Sequence, residues 1–283
     1  MIATIQLDRP VALRETSADH GAHAFLGHRG TAQALAFSPD GRSLAIGGSD
    51  PDIYLYDAKR GGPGHPLGLP IQWTRILAFS PDGHVLAASS DFDHEVLLWD
   101  LAAKRERARL RGHRSPVISL AFAPDGRSLA SGGMRDDAII VWDLATRRPR
   151  RRLGVPPGSV YALAYSPDGR WLASAAFQES QVRLWELQGG RGDRLLGSHS
   201  RGRNSVAFSA DGRLLATAGD DGIVRLWDMA TGAELHRFGG PGDRLSGVAF
   251  SPDGRLLAGS GDDADIRLWD LAEVLRPRAS RSR

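Results

Sequence analysis

An aromatic residue followed by an acid recurs at Tyr56-Asp57, Trp99-Asp100, Trp142-Asp143, Trp185-Glu186, Trp227-Asp228 and Trp269-Asp270, at steps of 43, 43, 43, 42 and 42 residues. A second marker runs in phase with it. Asp-Gly pairs stand at Asp40, Asp82, Asp125, Asp168, Asp211 and Asp253, five of the six preceded by proline. Two markers holding one period through six copies require a fold assembled from six equivalent units. None of those units can bury its apolar faces alone, so each must stack on its neighbours.

Within a copy the pattern is that of short strands. In the fifth, Ser205-Val206-Ala207-Phe208 leads to the turn at Asp211-Gly212, and Leu214-Leu215-Ala216-Thr217 to the turn at Gly219–Gly222. Ile223–Trp227 then alternates apolar and polar residues, and a turn at Thr231-Gly232 opens Glu234–Phe238. Four runs of four to six residues, punctuated by Gly, Asp and Pro, read as strands joined by hairpins. No segment sustains the 3.6-residue apolar stripe of a helix. The all-β class and the blade of a β-propeller follow from this period and strand count.

The phrases SPDGRLLATAGDDGIVRLWD and APDGRSLASGGMRDDAIIVWD resemble the WD40-repeat β-propeller family, and the likeness runs from about residue 22 to 271. In that family the N-terminal strand completes the last blade. Six sets of three inner strands are present, at 31–57, 73–100, 116–143, 159–186, 202–228 and 244–270, but only five are followed by an outer strand. The resemblance therefore implies six four-stranded blades, with Ala22–Leu26 closing the sixth. The alternative is seven blades with a degenerate or incomplete one, because Ile2–Asp8 resembles a third strand and its terminal acid. A half-built blade would leave unpaired edges. The expected organisation is an N-terminal extension over 1–21, the propeller over 22–271 and a basic tail over 272–283.

The resemblance also implies a buried hydrogen-bonded set: a His before the first strand, a Ser or Thr on the second, an Asp in the following turn, and the Trp. His113, Ser131, Asp136 and Trp142 match it in the third copy, and His199, Thr217, Asp221 and Trp227 in the fifth. The second copy keeps Ser89, Asp93 and Trp99 but has Pro70 in place of the His. Glu179 replaces the Asp in the fourth, Pro156 and Pro241 replace the His in the fourth and sixth, and Tyr56 replaces the Trp in the first. A Ser-His-Asp trio can be mistaken for a hydrolase triad. Its recurrence between copies, and the need of a buried indole N–H for an acceptor, assign it to structure.

Catalytic constellations are missing from the sequence. It has no phosphate-loop lysine, no paired-histidine zinc helix and no serine elbow. Cysteine is absent, so disulfides, thiolate metal sites and cysteine nucleophiles are excluded. The acidic turn Asp262–Asp265 matches no calcium-loop spacing. No enzyme activity, cofactor or metal is expected. No apolar run is long enough to span a membrane, MIATIQLDRPVALRE does not read as a signal peptide, and a cytoplasmic location is expected.

In the family the usual docking face carries the second-to-third-strand turns and the lead-ins to the first strands. Lead-in positions are Thr31, Trp73, Pro116, Ser159, Gly202 and Arg244. Two residues further on, Gln33, Arg75, Ile118, Tyr161, Asn204 and Ser246 are expected at the channel mouth. The large ones gather on copies two to four: Trp73, Arg75, Phe92, Met134, Arg135, Tyr161 and Phe177. Trp, Tyr and Arg are the types enriched at binding hot spots, so these seven are the expected surface for a protein or peptide partner. The alternative partner is a nucleic acid or an anionic surface, held by arginines at Arg105–Arg111 and Arg147–Arg152 and in the tail. The net charge of +3 is too small to favour it, and no aromatic is interleaved for base stacking. The oligomeric state is not legible.

Overall fold

The computed structural model describes residues 2–4, 12–14, 23–26, 30–69, 71–177, 181–188, 192–199, 205–240, 244–263 and 265–275. Apart from the single helix Leu271–Val274, the described elements are strands. Each of the six repeats forms one antiparallel sheet, and the fold class is the six-bladed β-propeller. The chain divides into two compact units, Met1–Val160 and Tyr161–Arg283.

In the first unit, blade one is built from Ala32–Phe37, Ser43–Gly48, Tyr54–Asp57 and His65–Pro66. Blade two takes Thr74–Phe79, Val85–Ser90, Glu95–Asp100 and Arg105–Arg111, and blade three Val117–Phe122, Ser128–Gly133, Asp136–Asp143 and Arg148–Gly158. In the second unit, blade four takes Val160–Tyr165 (its first residue still in the first unit), Trp171–Ala176, Gln181–Glu186 and Arg194–Ser198. Blade five takes Ser205–Phe208, Leu214–Ala218, Ile223–Asp228 and Glu234–Gly239. Blade six has three described strands, Leu245–Phe250, Leu256–Gly261 and Ile266–Asp270.

Second strands such as Val85–Ser90, Ser128–Gly133 and Trp171–Ala176 are buried at every position. Both faces of such a strand are covered, so its sequence is a run of small and apolar residues rather than an alternation. The outer strand Arg105–Arg111 buries only Ala108 and Leu110. Leu98, Ala108 and Leu110 of blade two pack with Val117, Leu129, Ile140 and Trp142 of blade three. In the second unit Trp171, Leu184 and Leu196 pack with Leu215 and Trp227, and Leu271 joins the core of blades five and six. Trp142 is fully buried. At about 25 cal/mol per Å² over roughly 200 Å², its indole contributes about 5 kcal/mol before the entropy of ordering it.

The Asp-Gly marker has a local cause. In five turns a serine hydroxyl donates to the aspartate two residues on, at 2.5–2.6 Å: Ser38 to Asp40, Ser80 to Asp82, Ser166 to Asp168, Ser209 to Asp211 and Ser251 to Asp253. The glycine after each aspartate has φ near +70°, as at Gly41 (66°) and Gly83 (72°), a region that other residues enter only at a cost. In the third copy Ala123 replaces the serine, and Asp125 accepts the Arg127 amide at 2.9 Å without a serine hydroxyl two residues before it.

The expected closure is corrected. Among the described residues His23–Leu26 pairs with strands other than those of blade six. It pairs antiparallel with Ala12–Arg14, which pairs with Ile2–Thr4, and its other edge runs parallel to Gly62–Pro63. Pairing with strands a few residues away closes a much shorter loop than pairing with the last blade. The remaining edge is covered by Gly62–Pro63, from the connection between the third and fourth strands of blade one. These short strands make a separate small sheet ahead of the six blades.

Candidate functional site

The lead-in to a first strand and the turn between the second and third strands lie at the same end of a blade. The turn amide donates to the lead-in carbonyl: Ser49 to Thr31 at 3.0 Å, Asp91 to Trp73 at 3.1 Å, Met134 to Pro116 at 2.8 Å and Asp262 to Arg244 at 3.1 Å. Any side chain at these positions is therefore held on a main-chain frame.

On blade two the frame carries two large aromatics. Trp73 is 42% exposed and Phe92 70%, and their rings meet edge to face with centroids 6.3 Å apart. Ser90 Oγ accepts the amides of Phe92 and Asp93 at 3.2 and 2.9 Å, which fixes the turn. Arg75 Nε lies 3.7 Å from Asp91 Oδ1. Trp73 has φ of 56°, and on blade three Arg135 has φ of 52°. Neither is a residue type that favours left-handed backbone. Arg135 is exposed, its amide donating to Ser159 Oγ at 3.1 Å, and Met134 is half-buried. In the second unit Tyr161 and Phe177 lie 6.0 Å apart, with Phe177 43% exposed. Of the residues expected at the channel mouth, Ile118 is buried, Gln33 is half-buried, Ser246 is exposed, and Asn204 lies outside the described residues. So do Gly202, Glu179, Pro70 and Pro241.

The third blade holds the full hydrogen-bonded set. His113 Nδ1 stands 2.7 Å from Asp136 Oδ2 and Nε2 2.6 Å from Ser131 Oγ, which also accepts Trp142 Nε1–H at 2.7 Å. Ser131 has no exposed surface. Burial is the main cause of a His113 pKa below the ordinary imidazole value, against the opposing pull of Asp136. The ring is therefore neutral, its Nδ1–H donating to the carboxylate. Burial raises Asp136, but His113 and the Arg114 and Asp137 amides outweigh it, and the carboxyl sits below its usual value.

The fifth blade repeats the set. His199 Nε2 is 2.7 Å from Thr217 Oγ1, which accepts Trp227 Nε1–H at 3.0 Å, and Nδ1 is 3.0 Å from Asp221 Oδ1. A buried cation joins it. Arg225 Nη1 donates to Asp221 Oδ2 at 2.8 Å and stands 2.6 Å from His199 Nδ1. Burial lowers the His199 pKa, and the Arg225 charge lowers it further.

The incomplete copies behave differently. In blade four Trp185 Nε1 still donates to Ser174 Oγ at 2.8 Å. In blade two Ser89 donates instead to Val117 O of the next blade at 2.7 Å, and the buried Trp99 Nε1 finds no partner among the described residues. Ser89 and Trp99 thus do not form the pair that their positions suggest.

Sequence reading passed over Arg183, Arg225 and Arg267. They occupy one position, two residues before the Trp, in all three copies of the second unit, where the first unit has Tyr54, Leu97 and Ile140. Arg183 lies over the Trp185 ring at 5.1 Å, and Arg267 pairs with Asp263. The repeated Arg-Leu-Trp was the available signal. Among the described residues no cluster of three or more His, Asp and Glu side chains could hold a metal ion, and no helix is long and apolar enough to cross a membrane.

Repeated four-stranded blades, with a His–Ser/Thr–Trp set inside and loops presented at the lead-in end, define a propeller of the WD40 class. The family model described as IFT122 first beta-propeller matches residues 73–278, and that of the WD domain, G-beta repeat, matches 22–57. The chain belongs to the WD40-repeat β-propeller family, whose members are typically protein-interaction scaffolds. It is 31% identical to Coronin-7 of Rattus norvegicus over 127 residues, 42% of this chain and 13% of that protein. It is 27% identical to WD40 repeat-containing protein HOS15 of Arabidopsis thaliana over 126 residues, 42% of this chain and 21% of the relative. Small ribosomal subunit protein RACK1z of Arabidopsis thaliana is 35% identical over 78 residues, 28% of this chain and 23% of its own length. The chain thus spans less than a quarter of each of these relatives.

Proposed function

We propose that the chain is a non-enzymatic binding module that takes a protein or peptide partner at the lead-in end of its blades. Trp73 and Phe92 are the anchor. Arg75, Met134 and Arg135 contribute on the same unit, and on the second unit Tyr161 and Phe177 form a contact pair of their own. In this reading residues 22–271 are the working domain, 1–21 and 272–283 are appendages, and the setting is cytoplasmic.

The observation that carries the reading is the exposed edge-to-face pair Trp73–Phe92 with Trp73 in left-handed backbone. Such a conformation costs about 1–2 kcal/mol for a residue with a Cβ, and it persists where the surroundings impose it, often at binding sites. Exposed aromatics grouped on a fixed frame supply large contact area with little ordering cost. The non-enzymatic part is supported by Ser131, the serine of the blade-three Ser-His-Asp trio, which is buried with its hydroxyl taken up by His113 and Trp142.

The test is capture from cell extract by the wild type beside a Trp73→Ala/Phe92→Ala variant, with thermal melting to confirm that both are folded. Proteins retained by the wild type and lost from the variant are the expected result. An identical set of captured proteins from the two would refute the site.

A further inference from the structure

The first unit carries a second surface, on the outer strands of blades two and three. Arg105–Arg111 and Arg148–Gly158 are edge strands of their sheets, so one side of each backbone lies outside the ladder. Arg147–Arg152 holds five arginines and one proline, no acid, and is exposed at every residue. Lys104, Arg105 and Arg107 are exposed on the neighbouring strand. The two are tied together, since Arg152 Nη2 donates at 3.2 Å to the carbonyl of Gly112, just past the end of Arg105–Arg111.

The charge is balanced unevenly. On blade two Arg109 meets Glu106 at 3.2 Å and Glu95 at 3.8 Å, and Arg111 meets Glu95 at 2.8 Å. On the outer strand of blade five Glu234 faces Arg225 and Arg237. The outer strand of blade three has no acid of its own, and Arg148 forms no ion pair among the described residues. Another copy of this edge would bring the same arginines, so the charge that repels self-pairing selects for a partner of opposite sign.

We infer that this edge binds an extended acidic peptide segment, which adds as a further strand along Arg148–Gly158 with its carboxylates facing the arginines of both edges. Main-chain pairing is available over Arg150–Val155, the stretch between Pro149 and Pro156. A peptide strand uses both the open backbone and the guanidinium row, because its side chains alternate with the same two-residue period. A nucleic acid uses only the charges, and neither strand offers an aromatic on which a base could stack. This surface does not depend on the Trp73–Phe92 site.

The test uses a fluorescein-labelled peptide of alternating glutamate and threonine, with binding read by fluorescence anisotropy at low and physiological salt. Wild type and the Trp73→Ala variant bind it equally, and Arg148→Glu/Arg150→Glu binds about tenfold more weakly. The same peptide N-methylated at alternate residues keeps its charge but cannot pair, and wild type binds it about tenfold more weakly too. That arm needs no mutant to fold. Equal affinity for the methylated peptide, tighter binding of a polyuridine RNA or a DNA duplex, or no binding at all overturns the inference.

Discussion

Trp73 and Trp142 are the same residue type under opposite demands. Trp142 is fully buried, its N–H bonded to Ser131, and removing such a side chain costs about 3–5 kcal/mol. Trp73 is 42% exposed and held at φ 56°. Replacing it by glycine loses some packing but releases backbone strain, so the two effects largely cancel. Trp73→Gly is expected to change stability by less than about 1 kcal/mol while abolishing partner retention. Urea unfolding beside the capture assay checks both halves. A loss near that of a core tryptophan would make Trp73 a structural residue and remove the functional reading.

At the scale of the element, five of the turns between first and second strands share a serine-to-aspartate hydrogen bond and one lacks it. Ala123→Ser restores the missing hydroxyl beside Asp125, and the variant is expected to gain about 1 kcal/mol in chemical denaturation. A loss would mean that the hydroxyl is not accommodated there. Strands and turns were legible because each is dictated within its own few residues: Asp211-Gly212 turns and Ile223–Trp227 alternates whatever lies elsewhere. The pairing of His23–Leu26 was not legible. Backbone edges carry no side-chain label, and the family pattern pointed to the last blade. The exposed aromatics were legible as types, but the left-handed φ of Trp73 and Arg135 was not, since neither residue signals it. Arg225 was visible in the repeat, yet its contact with His199 and Asp221 joins a lead-in, a turn and a strand, which only the fold brings together.

For the whole molecule, acid is the expected weakness. His113 and His199 are held below the ordinary imidazole pKa, mainly by burial. The unfolded chain takes up those protons first as pH falls below about 6.5, so stability is full above that pH and declines beneath it. The turn aspartates Asp40, Asp82, Asp211 and Asp253 are held below 3.8, chiefly by their serine hydroxyls and then by the following amides. Their contribution is present above about pH 4 and is lost below it. Unfolding free energy is therefore expected to fall from pH 7 to pH 5 and again below pH 4. His113→Ala strands Ser131 and Asp136, costs about 1–3 kcal/mol at pH 7, and flattens the first decline. A variant as steep as wild type in that range would deny His113 its part.

Two of the buried indole tips, those of Trp142 and Trp227, also rest on a glycine. A methyl at Gly112 would come within 3.0 Å of Trp142 Cη2, and one at Gly197 within 2.6 Å of Trp227 Cη2. In both pairs the glycine belongs to the stretch before a blade and the tryptophan to the blade itself. A transplanted sheet would arrive without the notch that receives its own largest side chain. The segment that can be moved intact is consequently out of step with the sheet by one strand, and a graft cut before the glycine, not at the hairpin, keeps lock and key together.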